Sequence, residues 1–340
     1  MKGDLVHDVR KFHEKYGQIV RTAPDEVSFS DAAALPDIFV HRPGHTPFMK
    51  NQKFVSPPPG QSHSMVTTPN EDDHARMRKV LNHAFTEKAL RSQEPIIQTY
   101  VQLMVDRLRE TIEAQEKNKR DGAIVNMLDW YNFFFFDVVG DLGFGESFGC
   151  LKDGAYHAWV AMVFQYMKGL TLAAATKYWP FLESILFKLV PKSIVQAQHE
   201  HFQLAVDKIN RRMNLEKDRE DFISHVMKRN ENFTEMSLEE IQTTFAILII
   251  AGSETTATVL SGMTNYLVQN PTKLQKLTSE IRSTFTKESA ITIAAVKEMP
   301  YLNACISEGL RMCNPVPSGL PRVVPPKGDT VLGQWLPGHV

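Results

Sequence analysis

The residues best suited to chemistry lie in a short polar segment, residues 251–256, which reads Ala-Gly-Ser-Glu-Thr-Thr. The segments on either side are almost wholly apolar, which predicts a helix that is buried all round. A buried carboxylate is costly unless it is paired or solvated. Glu254 is therefore either one half of an ion pair in a core helix, or a proton-handling group beside a bound molecule. In the second case Gly252 would permit the close approach of a flat or bulky group, while Ala251 and Thr255 would share one helix face.

Three further sets of charged residues could bind or position a ligand. Glu308 and Arg311 are three positions apart and would meet on one face of a helix. His74 and Arg78 are four apart in a basic cluster, where arginine could bind an anionic group with two hydrogen bonds. Arg322 follows a proline on a predicted strand and could reach a buried carboxylate. Each of these also has an ordinary surface interpretation, since most exposed ion pairs contribute only about 0–1 kcal/mol.

Composition excludes several classes of protein. The 340 residues carry a net charge of −1, which does not favour a nucleic-acid partner. The three cysteines form no Cys-x-x-Cys pair, so neither a disulfide framework nor a structural zinc site is expected, and reduced thiols fit a cytosolic or cytosol-facing protein. No apolar run approaches the ~20 residues of a membrane span. The sequence thus predicts a soluble or at most peripheral protein.

The elements that must position these residues are mainly helical. A capping box at residues 68–71 predicts a helix that begins at Pro69, and a second one at residues 237–240 predicts the longest helix, residues 238–268. Asn270 is predicted to cap the helix that follows. Proline and glycine patterns place short strands near both ends of the chain. The further predictions are strands at 17–21, 26–29 and 330–332, and helices at 93–114, 128–142, 301–312 and, broken by two prolines, within 155–210.

In this order and setting, the segments resemble the cytochrome P-450 family, and within it the microsomal monooxygenases of fungal secondary metabolism. Residues 251–256 match the family's oxygen-activation motif, and residues 308–311 match its Glu-x-x-Arg helix. Further likeness lies in residues 13–21, in residues 136–145 and in Leu-Pro-Arg at 320–322. The resemblance implies one cytochrome P-450 domain over residues 1–340, mainly α with a small β-sheet.

The resemblance also implies a function, a cofactor and partners. The protein would be a haem-containing, iron-dependent oxidoreductase that inserts one oxygen atom of O2 into a lipophilic small molecule, by hydroxylation or epoxidation, in secondary metabolism. Electrons would come from NADPH through NADPH-cytochrome P-450 reductase. Substrate would lie between the long helix and the loop at 55–67, under a mobile cover formed by residues 155–205.

Residue by residue, the implied roles divide into catalysis, cofactor binding and structure. Thr255 would hydrogen-bond iron-bound dioxygen, and Glu254 would help to relay protons. Glu308 and Arg311 would form a structural pair. Contact with haem would come from His74, Arg78, Ala251, Gly252 and Arg322.

The sequence departs from the family pattern at both ends. The family's iron ligand is a cysteine in a Phe-x-x-Gly-x-Arg-x-Cys loop, and none of Cys150, Cys305 and Cys313 occupies that position, so no metal ligand is predicted here. The helix after that loop and the N-terminal membrane anchor are likewise expected to be missing. The fold is therefore expected to be incomplete. The alternative is a truncated, catalytically inactive relative or a haem-free helical protein, marginally folded and cytoplasmic, whereas the full-length family lies on the cytosolic face of the endoplasmic reticulum membrane.

Overall fold

The computed structural model describes residues 4–57, 60–117, 124–162, 164, 181, 192–215, 219–317 and 319–340. The chain forms two compact units. We call residues 1–75 with 316–340 the mixed unit, and residues 76–315 the helical unit. That both belong to one domain stays a prediction.

Short strands and helices make up the mixed unit. Its strands form three antiparallel pairs, β1 with β2, β3 with β4 and β5 with β6. These pairs confirm the strands predicted near the two ends of the chain. The elements are α1 (Leu5–Tyr16), β1 (Ile19–Ala23), β2 (Glu26–Phe29), α2 (Ala34–Phe39), β3 (Met49–Lys50), β4 (Arg322–Val323), β5 (Asp329–Val331) and β6 (Gln334–Leu336), with α3 (Glu71–Leu81) leading into the helical unit.

A small apolar core and an ionic cluster join the two sequence segments of the mixed unit. Ala34 of α2 is buried with Val331 and Leu336 of the β5–β6 pair. Beside this core, Asp329 accepts a hydrogen bond from Arg42 Nη2 at 2.7 Å and contacts His45 Nδ1 at 2.8 Å. Residues distant in sequence therefore share both apolar and charged contacts.

The helical unit contains the long helices that the sequence predicts. Those predicted at 93–114, 128–142, 238–268 and 301–312 are all confirmed, each with slightly wider bounds. Most of the helices predicted within 155–210 lie outside the described residues. The elements are α4 (Glu87–Lys117), α5 (Met127–Phe144), α6 (Cys150–Asp153), α7 (Lys192–Met213), α8 (Phe222–Met227), α9 (Leu238–Gln269), α10 (Pro271–Thr284), α11 (Ile293–Lys297) and α12 (Pro300–Met312), with short 3-10 turns at Asn82–Phe85, Glu231–Phe233 and Glu288–Ala290.

Helix α9 packs closely on α5, and this packing positions the polar segment. The predicted capping box is present at its start, where Ser237 and Glu240 bond each other's backbone N–H. Gly143 of α5 permits the approach, because a Cβ there would lie 3.0 Å from Ile249 Cδ1. The buried hydroxyl of Ser253 donates to the carbonyl of Phe135 at 3.3 Å. The central turns of α9 are thus held against α5 by both apolar and polar contacts.

The starts of two helices differ from the prediction in detail. Helix α3 begins at Glu71 rather than at Pro69, and its first turn bonds to the Asn70 side chain, which accepts from the backbone N–H of Asp72 at 2.9 Å. Asn270 occupies the N-cap position of α10 and Pro271 opens the helix, as predicted, but the Asn270 side chain makes no cap bond to α10; its amide donates backward to the carbonyl of Tyr266 at 2.8 Å. In both places a polar side chain adjoins a helix end, and neighbouring backbone groups compete for it.

Candidate active site

The polar segment of α9 is not buried all round, so that prediction is wrong. Ser253 is fully buried against α5, whereas Ala251 and Thr256 are exposed and Glu254 and Thr255 are half-buried. Helix α5 covers only one side of this turn. The residues that the sequence assigns to chemistry therefore lie on the less covered sides of the helix.

Glu254 has no partner in the part of the chain that the structure describes. It forms neither an ion pair nor a hydrogen bond there, which argues against the core ion-pair interpretation. Burial raises the pKa of the Glu254 carboxyl above its ordinary value. The side chain is thereby biased toward its neutral, proton-carrying form.

The two threonines beside Glu254 both bond back to their own helix. Thr255 Oγ1 donates to the carbonyl of Ala251, and Thr256 Oγ1 donates to the carbonyl of Gly252 at 3.1 Å. Such bonds compete with backbone hydrogen bonds and tend to bend helices. They also fix the two hydroxyl groups in direction.

The neighbour that the structure shows at Gly252 is helix α5. A Cβ on Gly252 would lie 3.4 Å from both methyl groups of Val139, which is ordinary contact distance. Close packing of α9 on α5 thus accounts for part of the need for a small residue here. The contact with a cofactor that the sequence assigns to Gly252 stays a prediction.

Glu308 and Arg311 are paired on α12, as their spacing predicts. The guanidinium donates two hydrogen bonds of 2.7 Å to the carboxylate, and both side chains are more than half exposed. The hydrogen bond from Arg311 lowers the pKa of Glu308. With this exposure, water and salt screen the pair and little stability comes from it.

The basic residues of α3 differ in their burial and in their partners. His74 is half-buried and Arg78 is exposed. Arg76, which lies between them in the sequence, donates to Glu240 at 2.8 and 3.0 Å. Since Glu240 also belongs to the capping box of α9, this pair connects α3 to the start of the long helix. Sequence spacing carries no sign of this pairing.

Arg322 lies on β4 and is half-buried, as a strand position predicts. Its guanidinium lies 5.1 Å from the centre of the Phe39 ring, and burial lowers its pKa. Directly opposite, on β3, is Lys50, a residue that sequence reasoning missed. Only the pairing of two short strands from opposite ends of the chain brings these cations together.

The three cysteines occupy packed positions. Cys150 is buried at the start of α6, where burial raises the pKa of its thiol to about 11. Burial likewise raises the pKa of Cys305 on α12. Cys313 packs on Gly262 so closely that a Cβ there would overlap its sulfur. That none of the three cysteines is the iron ligand stays a prediction.

The structure thus brings some of the predicted site residues together and leaves others apart. Ala251, Gly252, Glu254 and Thr255 share one turn of α9, and Glu308 pairs with Arg311, all within the helical unit. Arg78 also belongs to that unit, whereas His74 and Arg322 belong to the mixed unit.

Comparison with known proteins agrees with the motifs and the mainly helical fold. The model of the cytochrome P450 family matches residues 1–336. The chain therefore belongs to the cytochrome P450 family, which confirms the predicted family and fold class.

The most similar relatives include several fungal monooxygenases. The chain is 41% identical to cytochrome P450 monooxygenase lcsI of Purpureocillium lilacinum, over 99% of this chain and 65% of that protein. It is 40% identical to cytochrome P450 monooxygenase astJ of Aspergillus oryzae, over 99% of this chain and 66% of that protein. It is 38% identical to cytochrome P450 monooxygenase atr2 of Stereocaulon alpinum, over 99% of this chain and 65% of that protein. The chain therefore spans slightly less than two thirds of the length of these relatives.

One helix in the described part of the chain, α9, is long and apolar enough to cross a membrane. The same helix is packed on α5 and carries the polar segment, as the core helix of a soluble protein can. The absence of a membrane span stays a prediction.

Proposed function

We propose that this protein is a haem-thiolate monooxygenase that inserts one oxygen atom of O2 into a lipophilic small molecule, by hydroxylation or epoxidation, in secondary metabolism. Membership of the cytochrome P450 family supports this, as do the monooxygenase names of relatives about 40% identical. The observation that carries the proposal is Glu254 on α9, which lies beside Thr255, is half-buried and has no partner among the described residues.

A bound haem would need cations for its carboxylates, a helix turn open to one of its faces, and a thiolate ligand for its iron. Residues of this chain would suit the first two. The haem carboxylates match cationic groups of the kind that His74, Arg78 and Arg322 supply, because charge-assisted bonds to carboxylates are strong. Its distal face matches the half-exposed turn of α9 that contains Ala251 and Gly252. When bound through a thiolate, haem iron activates O2 with the electron density that the sulfur supplies. We assign that thiolate to no cysteine of this chain.

Within the distal turn, Glu254 and Thr255 would divide the handling of protons. Because burial raises its pKa, the Glu254 carboxyl holds a proton at a higher pH than an exposed glutamate does. The hydroxyl proton of Thr255 is directed to the carbonyl of Ala251, so the lone pairs of Oγ1 remain able to accept a hydrogen bond. Glu254 would therefore be the proton source. Thr255 would relay a proton by releasing its own hydroxyl proton to the acceptor as Oγ1 takes one up.

The remaining assignments follow from the family. Electrons would come from NADPH through NADPH-cytochrome P-450 reductase, and the protein would work at the cytosolic face of the endoplasmic reticulum membrane. The two compact units would together form one cytochrome P-450 domain, with Glu308 and Arg311 as an internal structural pair.

The test measures oxygenated product and the carbon monoxide spectrum for two proteins. One is this chain, and the other is the protein encoded by the complete reading frame of its natural transcript. Each is supplied with haem, reductase and NADPH. We expect a thiolate-type carbon monoxide spectrum and oxygenated product from the complete frame. Glu254→Gln and Thr255→Ala should each lower the rate of product formation by about 10²-fold or more, the size of a general acid–base contribution.

Thr256→Ala is the matched control, because Thr256 makes the same kind of backbone bond one position later and is more exposed. It should retain nearly the full rate of product formation. A complete frame that binds no haem would support the inactive relative instead. A complete frame that oxygenates equally well in all three variants would refute the proton-handling roles of Glu254 and Thr255.

A further inference from the structure

Arg76 anchors α3 to the segment that begins α9. Its guanidinium donates from Nη2 to Glu240 Oε1 at 2.8 Å and from Nη1 to Glu240 Oε2 at 3.0 Å. Nη1 also donates to the carbonyl of Glu235. Two parallel bonds between a guanidinium and a carboxylate fix the direction of both groups as well as their distance. One side chain of α3 is therefore held at two points, one just before α9 and one in its first turn.

The acceptors of these bonds are themselves held in place. Glu240 Oε2 accepts from the backbone N–H of Ser237 at 2.9 Å, which is one half of the capping box. The fully buried side chain of Asn230 accepts from the backbone N–H groups of Glu235 and Met236, both at 2.9 Å, and donates to the Met236 carbonyl at 2.8 Å. The arginine of α3 thus meets acceptors whose positions are already fixed, so its own bonds determine how α3 lies against them.

The anchor is better shielded from water than the other helix pair of the site. The side chains of Arg76 and Glu240 are 31% and 17% exposed, whereas those of Arg311 and Glu308 are 65% and 60% exposed. Charges that are partly removed from water interact more strongly, because less solvent screens them. The bonds of Arg76 can therefore set the orientation of a helix, which an exposed pair does poorly.

Helical geometry connects this anchor to Arg78. Neighbouring residues of an α-helix are about 100° apart around its axis, so Arg78 lies roughly 160° from Arg76, on nearly the opposite side. Met77 and Val80 of the same helix are buried, whereas Arg78 is exposed. Apolar burial is non-directional and sets the rotation of a helix only loosely. A rotation of α3 about its axis would move both arginines together, and the bonds to Glu240 oppose it.

We propose that Arg76 is a positioning residue that acts through Arg78. By bonding to Glu240 it sets the rotation of α3, and it thereby directs the Arg78 guanidinium toward the anionic group that binds there. The identity of that group as a haem carboxylate rests on the proposed function, whereas the anchor rests on the hydrogen bonds of Arg76 alone.

The anchor is tested by hydrogen exchange of the full chain without haem, followed by mass spectrometry. Arg76→Gln and Glu240→Gln should each raise the exchange rate of residues 71–81 by about tenfold, the lower end for a hydrogen bond to a charged group. Glutamine also serves at the third position of a capping box, so Glu240→Gln removes the ion pair and keeps the cap. The double variant should exchange no faster than either single one. Lys79→Gln is the matched control, because Lys79 is an exposed cation of the same helix, and it should change the rate little. Unchanged exchange in Arg76→Gln would overturn the proposal.

Positioning is separated from general stabilisation by the rate of haemin loss from the complete-frame protein. Arg76→Gln should speed haemin loss by about tenfold, and Arg76→Lys, which keeps the charge but not the paired bonds, should do so less. In an Arg78→Gln background, Arg76→Gln should add little, because its effect passes through Arg78. Equal acceleration in the two backgrounds would show that Arg76 only stabilises the fold, and the positioning role would be wrong.

These outcomes are distinct from a failure of the proposed function. A complete frame that binds no haemin contradicts the proposed function and overturns the positioning role with it, while the exchange rates still report the anchor. A complete frame that binds haemin, but loses it at a rate that does not depend on Arg76, overturns the positioning role and leaves the monooxygenase proposal standing. Haemin loss that depends on Arg76 only when Arg78 is present supports both.

Discussion

Arg212→Met tests the most deeply buried ion pair of the helical unit. Arg212 lies near the end of α7, and its Nε donates to Asp221 Oδ2 at 2.7 Å, with 6% and 0% of the two side chains exposed. Its Nη2 also donates to the hydroxyl of Ser224 at 2.8 Å. Methionine would keep much of the aliphatic packing but leave the Asp221 carboxylate buried without its main cation.

The expected loss follows from that burial. Removing one partner of a buried pair costs about 3–5 kcal/mol, because the other charge stays out of water. Asp221 keeps a distant second cation, Arg219 Nε at 3.6 Å, so we expect the lower half of this range. Against a typical stability of about 5–15 kcal/mol for a whole protein, such a loss would be plainly visible.

The assay is urea unfolding combined with hydrogen exchange of α7 and α8 followed by mass spectrometry. Arg211→Met is the matched control, since Arg211 is the preceding residue of the same helix, is 61% exposed and pairs with Glu146 at 2.8 Å. It should cost less than about 1 kcal/mol. Equal effects of the two substitutions would refute the reasoning, as would unchanged exchange protection of α8 in Arg212→Met.

Two further predictions concern α9 and the end of α5. Because the pKa of Glu254 is raised in the folded state, the folded protein binds more protons than the unfolded one above the ordinary pKa. Stability should therefore fall as pH rises through the raised pKa. Unfolding of Glu254→Gln at a series of pH values should lack this fall, and a parallel pH dependence in both proteins would contradict it. Gly145→Ala should cost about 2–4 kcal/mol in urea unfolding, because its φ of +73° is strained for alanine and the new Cβ would lie 2.4 Å from Arg212 Cδ. Gly154→Ala, at φ +61° with no atom within 4 Å, should show only the backbone cost of about 1–2 kcal/mol, and an equal loss in both variants would rule out the clash.

The local elements of this protein could be read from the sequence. The capping box at Ser237 and Glu240, the proline that opens α10 and the Glu308–Arg311 pair all depend on residues within one helical turn of each other. Interactions at such short separations need no tertiary contact. The order of these motifs was also sufficient to predict the family.

The sequence misled where a side chain had more than one partner within reach. Apolar neighbours predicted full burial for residues 251–256, yet α5 covers only the side of Gly252 and Ser253. Asn270 stands at the predicted N-cap position of α10, but its side chain bonds back to Tyr266 instead of to that helix. Pattern alone cannot rank partners whose distances depend on how helices pack.

What the sequence by itself determined was thus the type and extent of the helices and the residues able to carry chemistry. Tertiary structure alone decided which of them are exposed and which charges meet. Arg76 meets Glu240 and Lys50 meets Arg322 only because folding brings distant segments together. The physical reason is that helical periodicity is a local property, whereas desolvation and pairing of charges depend on every element packed around them.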